Sequence, residues 1–136
     1  MSLLDVHLAV ACAWAGLVAA EFALELILAA SDAARLHFVL DVAFEAPLLL
    51  AIAVTGALLL GRSETIPLWL VVKLVAGLVA LLSAATCIVL VVRRRRALAQ
   101  GLDVDRFAPP IRATGLAAPC GIVAAWLGLA HAASFA

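Results

Sequence analysis

The sequence predicts an all-α fold: an integral membrane, up-down four-helix bundle that forms a single transmembrane domain over residues 1–136. Three observations carry this expectation. Hydrophobic residues make up 68% of the chain, where a soluble domain is roughly half apolar, and the mean hydropathy is +1.24. Four stretches, at about residues 3–30, 36–60, 66–92 and 111–134, reach the roughly 20 apolar residues that a spanning helix needs. No stretch alternates apolar with polar residues as a membrane β-barrel does, and backbone in lipid must satisfy its own hydrogen bonds, so the spans are helices.

Span 1 does not read as a cleaved signal peptide. No Lys or Arg precedes it, and its apolar run is too long and flows into the next span. Within it, His7, Ala11, Trp14, Val18, Glu21 and Glu25 follow at steps of three or four and share one helical face. The segment "SDAARLH" is expected to join spans 1 and 2. Span 2 repeats the pattern with His37, Asp41, Glu45, Leu48, Ile52 and Thr55. The loop "GRSETIP" leads to span 3, whose stripe is Lys73, Gly77, Ala80, Ala84 and Cys87. The third connection, "RRRRALAQGLDVDRFAPPIR", holds six of the nine basic residues. Span 4 carries a small-residue stripe, Thr114, Ala118, Gly121, Ala125 and Gly128, that permits close helix approach. Beside it run Cys120, Ala124 and His131. Pro119 lies inside this span and is expected to kink it, because its ring removes a backbone donor.

Charge sets the orientation. The basic third connection, with Arg93, Arg94, Arg95 and Arg96, is expected to face the cytoplasm, and both termini and the 2–3 loop to lie outside. The expected location is a bacterial inner (plasma) membrane. The arginine run also fits a nucleic-acid or anionic-lipid patch, but a topology signal at the end of a span is the plainer reading. With zero net charge, no nucleic-acid partner is expected. The expected surroundings are the lipid bilayer and either a homodimer or a larger membrane complex. Cys12, Cys87 and Cys120 all fall inside spans, which argues against a disulfide framework and for small packing residues.

Ionisable groups in mid-bilayer cost at least about 2.5–3.5 kcal/mol each on insertion scales. Their confinement to one face per helix therefore implies a shared polar interior. Depth divides them in two. His7, Thr55, Lys73 and His131 lie in an outer layer; Glu25, His37, Asp41 and Glu45 lie in an inner, acidic one, with Glu21 near the middle. His7 and His131 share a depth on the first and last helices, which are neighbours in an up-down bundle. Lys73 is too deep to snorkel easily and needs a carboxylate or an anionic ligand.

Several of these residues form patterns of known type. His7 is followed by Trp14 and Gly16, Trp69 precedes Lys73 in "WLVVK", and "APLLLAIAVTG" carries Pro47, Thr55 and Gly56. The chain thereby resembles the four-helix superfamily of HemJ-type protoporphyrinogen oxidases and copper-resistance CopD-like membrane proteins. It has Glu21-Phe22 where the HemJ pattern has Pro-Arg. The resemblance implies a haem b held in the membrane, with His7 as an axial ligand and Lys73 in the same site.

On that reading the chain is a haem-binding membrane protein, an oxidoreductase or an electron-transfer unit. His7 and His131 are the candidate iron ligands, with Trp14 flanking the macrocycle and Lys73 near the iron or on a propionate. Lys73 and Glu21 are the candidate catalytic groups, Glu21 with Glu25 passing protons inward. Bis-His and single-His ligation both remain open. A copper transporter or chaperone is the first alternative, since imidazole and thiol suit copper; Cys120 and His131 would then be successive stations. A non-catalytic subunit of a larger complex is the second, and a proton-linked carrier the third. No motif supports a hydrolase or a nucleotide enzyme.

Overall fold

A computed structural model describes the backbone of residues 2–133 and the side chains of residues 2–130. It is helical throughout, with four helices long and apolar enough to cross a membrane. The chain is thus an integral membrane protein, and the exposed faces, with Leu50, Val75, Leu82 and Trp126, meet lipid.

Helix α1 spans Leu3–Ile27. Ser2 caps it by accepting from Asp5 N (3.2 Å), and Asp5 Oδ2 accepts from Ser2 N in return (2.7 Å), so two orphan donors are satisfied reciprocally. Helix α2 spans Ala30–Leu60 and starts earlier than the sequence suggests. "SDAARLH" is not a loop but its first turns, because Ala33, Ala34 and His37 form a buried stripe that packs inward. The true connection is the extended pair Leu28 and Ala29. Within α2 the backbone widens to a π turn at Asp41–Glu45.

Helix α3 spans Leu68–Ala99. The four consecutive arginines are therefore its last turns and not part of a loop. Arginine is a good helix former, and the stop comes only at Gly101. This residue adopts a φ of 69°, while Leu102 N bonds to Ala97 O (3.0 Å) and Gly101 N to Leu98 O (3.1 Å). Such a left-handed close favours glycine. A short 3₁₀ turn, Asp105–Phe107, leads into α4, Ala108–Gly115. The final helix, α5, spans Ala118–Ala133. The last span is thus broken in two rather than kinked, since Pro119 falls in the first turn of α5, where its missing N–H costs nothing.

The apolar centre sets one large ring against a leucine and small residues. Trp14, Leu49, Ala80 and Ala84 are its buried members. A Cβ on Gly121 would collide with the Trp14 ring, and one on Gly115 would lie 2.6 Å from Phe22 Cδ2. These two glycines let the last span lie against α1. The first half of α2 packs on α3, whereas its second half barely meets the start of α3. The two helices splay towards their connecting loop.

Candidate functional site

The splay opens a cavity of about 690 Å³ lined by all four spans. Its wall is mainly apolar, and its ionisable groups include His7 and Lys73, with Trp14 and Trp69 also on the lining. Three of the residues that the sequence singles out, His7, Trp14 and Lys73, therefore share one chamber. The side chain of His131 lies outside the described residues.

Local geometry fixes which nitrogen of His7 donates. Its Nδ1 lies 2.8 Å from Thr55 Oγ1, and that hydroxyl is itself 2.6 Å from Ala51 O. A hydroxyl has one proton. Thr55 uses it on the carbonyl one helical turn back, so it accepts from His7 Nδ1–H. In the neutral ring the lone pair is then on Nε2. Gly56 lets the ring sit flush against α2, since a Cβ there would stand 3.3 Å from His7 Cε1.

Lys73 reaches across to α5. A Cβ on Gly128 would lie 2.9 Å from its Nζ. Among the described residues, no carboxylate comes within ion-pair distance of this ammonium. It is the kind of group that an anionic ligand completes.

At the other end of the bundle lies a separate polar network, and here the structure goes beyond the sequence reading. Arg94 is 1% exposed, turned into the core, with Nη1 2.6 Å from Glu25 Oε1. The same oxygen lies 2.7 Å from His37 Nδ1, and His37 Nε2 is 3.1 Å from Asp41 Oδ1. Both ring nitrogens thus face carboxylates, an arrangement satisfied by a ring with two N–H donors. Trp14 Nε1 donates to Glu45 Oε1 (2.9 Å). Glu21 completes the group at 3% exposure. Arg112 donates to Glu25 O (2.9 Å) and so caps the C-terminal end of α1.

The sequence places Arg94 in the cytoplasm-facing third connection as a topology determinant; in the structure it lies within α3 and is buried. The signal was present. Extending the α3 stripe from Cys87 by four and then three residues gives Val91 and Arg94, both buried. Ser83 is a further omission. Its Oγ donates to Thr114 O (3.0 Å) beside the break in the last span. Cys120 packs against the apolar centre. No group of three convergent metal-ligating side chains among the described residues includes it or His7.

No protein-family model, curated protein or solved structure matches this chain. Its chemistry is read from its own residues. Among the described residues, the cavity end offers the His7 imidazole and the Lys73 ammonium, with Glu64 also on its lining. The Arg94 end offers four buried carboxylates, a histidine and an arginine.

Proposed function

We propose that the chain is a haem b-binding integral membrane protein serving oxidation or electron transfer. One observation carries the reading: an imidazole with its Nε2 lone pair available and an ammonium without a described carboxylate partner line the same apolar cavity. Ligand sites are typically concave, mostly apolar chambers of about 300–1,000 Å³, and this one lies in that range. The Thr55 hydroxyl on Nδ1 is the outer partner that orients a metal-binding histidine and raises its basicity. His7 would hold the iron, Lys73 would neutralise a propionate, and the Trp14 and Trp69 rings would line the macrocycle's surroundings. Bound haem supplies a one-electron redox centre whose potential is set by its axial ligands and by burial. The resemblance of the His7, Trp14, Trp69 and Lys73 pattern to HemJ and CopD-like proteins points the same way.

We also infer that the arginine-rich end faces the cytoplasm of a bacterial inner membrane, with the 2–3 loop outside. The excess of Lys and Arg at one end supports this.

Oxidised and reduced absorption spectra of the purified protein, with and without haem supplementation, test the function. Wild type is expected to show a b-type spectrum and His7→Ala to lose it. A wild type that takes up no haem ends this reading. Copper found by elemental analysis of such a protein would favour the copper-handling alternative instead.

A further inference from the structure

We propose that Glu21, Asp41 and Glu45 form a binding site for one hard divalent cation, of the Mg²⁺, Ca²⁺ or Mn²⁺ class, buried between α1 and the π turn of α2. This site is separate from the haem reading and does not depend on it. One oxygen from each of the three carboxylates lies within 4.8 Å of the other two. That spacing fits ligands on a single ion, whose oxygen distances are about 2.0–2.6 Å for this class.

The oxygens are waiting for a partner. Glu21 Oε1, both oxygens of Asp41 and Glu45 Oε2 are buried without a hydrogen bond. Asp41 is the clearest case, at 0% exposure. His37 Nε2 stands 3.1 Å from its Oδ1 as a charge partner, which leaves Oδ2 for an ion. Unpaired buried carboxylates are too costly to leave uncompensated.

Charge gives the same answer. Four buried carboxylates, Glu21, Glu25, Asp41 and Glu45, stand against the cations of Arg94 and a doubly protonated His37. Arg94 and His37 share one oxygen of Glu25, and Trp14 offers Glu45 only a neutral N–H. With all four carboxylates ionised, as ligation of a cation requires, and with Arg112 exposed and engaged on Glu25 O, the remainder is two negative charges, which one divalent ion cancels.

Geometry also chooses among ion types. A second convergent group, His37, Asp41 and Cys87, has the ligands of a softer metal. Both nitrogens of His37 face carboxylates, however, so that ring has no lone pair to give. The all-oxygen group remains, and it suits a hard cation. A hollow of about 40 Å³, lined in part by Glu21 and Glu45, adjoins the site. It is large enough for water, which hard divalent ions commonly retain as ligands. The π turn at Asp41–Glu45 is a local widening of the kind often found at functional sites.

The test is Mn²⁺ titration of chelator-treated, full-length protein in nanodiscs of uncharged lipid. Free Mn²⁺ is read by its six-line electron paramagnetic resonance spectrum. One saturable Mn²⁺ per chain is expected, displaced by Mg²⁺ or Ca²⁺. Glu21→Gln and Glu45→Gln should each weaken binding at least tenfold, while Asp103→Asn, on an exposed carboxylate, should not alter it. Wild type that binds no Mn²⁺ up to about 1 mM, the weak end for carboxylate sites, overturns the proposal. So does binding that neither glutamine variant changes. Circular dichroism checks that each variant folds. Should one fail to fold, the other and the wild-type titration still decide the matter, and no haem signal is needed for either.

Discussion

Arg94 Nη1 lies 2.6 Å from Glu25 Oε1, joining the last turns of α3 to the end of α1 inside the bundle. Removing one member of a buried pair is far costlier than removing both, because it strands the other charge; the single loss is about 3–5 kcal/mol. Arg94→Met alone should therefore unfold at markedly lower temperature than wild type. Adding Glu25→Gln should restore part of that loss. Thermal melts in one detergent, run as a double-mutant cycle, measure the coupling.

The Thr55 hydroxyl determines which nitrogen of His7 is free. Thr55→Val deletes the acceptor but keeps the shape, and partners of this kind contribute about 10–100-fold to metal affinity. Haem retention should fall within that range, with a shifted reduction potential. Thr55→Ser should recover most of both, since the same oxygen returns.

Lys73→Met has opposite expected effects on stability and binding. With no described carboxylate to strand, the substitution should leave the empty protein as stable as wild type or more so. Haem should nevertheless dissociate faster, because the counter-charge is gone. Melting temperature and haem transfer to apomyoglobin separate the two readouts.

The glycines give a contrast in packing. A Cβ on Gly121 would meet the Trp14 ring, whereas one on Gly16 would have nothing within 4 Å. Gly121→Ala should cost about 1–3 kcal/mol, as overpacking of a tight core does. Gly16→Ala should be neutral or slightly stabilising, because alanine is the better helix former. Equal melts for the two would contradict the described packing of α1 on α5.

Helical period alone made most of this architecture legible. His7, Trp14, Glu21 and Glu25 on α1, and His37, Asp41 and Glu45 on α2, are all buried as their spacing implies. What escapes it has a common cause: local polarity mimics a loop. "SDAARLH" and the arginine run are both polar, yet both are helical, because Ala33, Ala34, His37 and Arg94 sit at core-facing steps within them. The partition of the polar groups into a chamber and a carboxylate network was hidden for a different reason. It depends on how far α2 and α3 diverge, and no single helix encodes that.

Trp14 belongs to both compartments. Its side chain lines the large cavity and the small hollow, and its N–H holds Glu45. An indole set in such a partition cannot tilt on one side without disturbing the other. A ligand that shifted the ring from the chamber side would alter the grip on Glu45, and an ion that shifted Glu45 would act on the chamber by the same factor, since linkage between two occupants is reciprocal. A single aromatic ring would thus carry occupancy at one depth of the membrane to another.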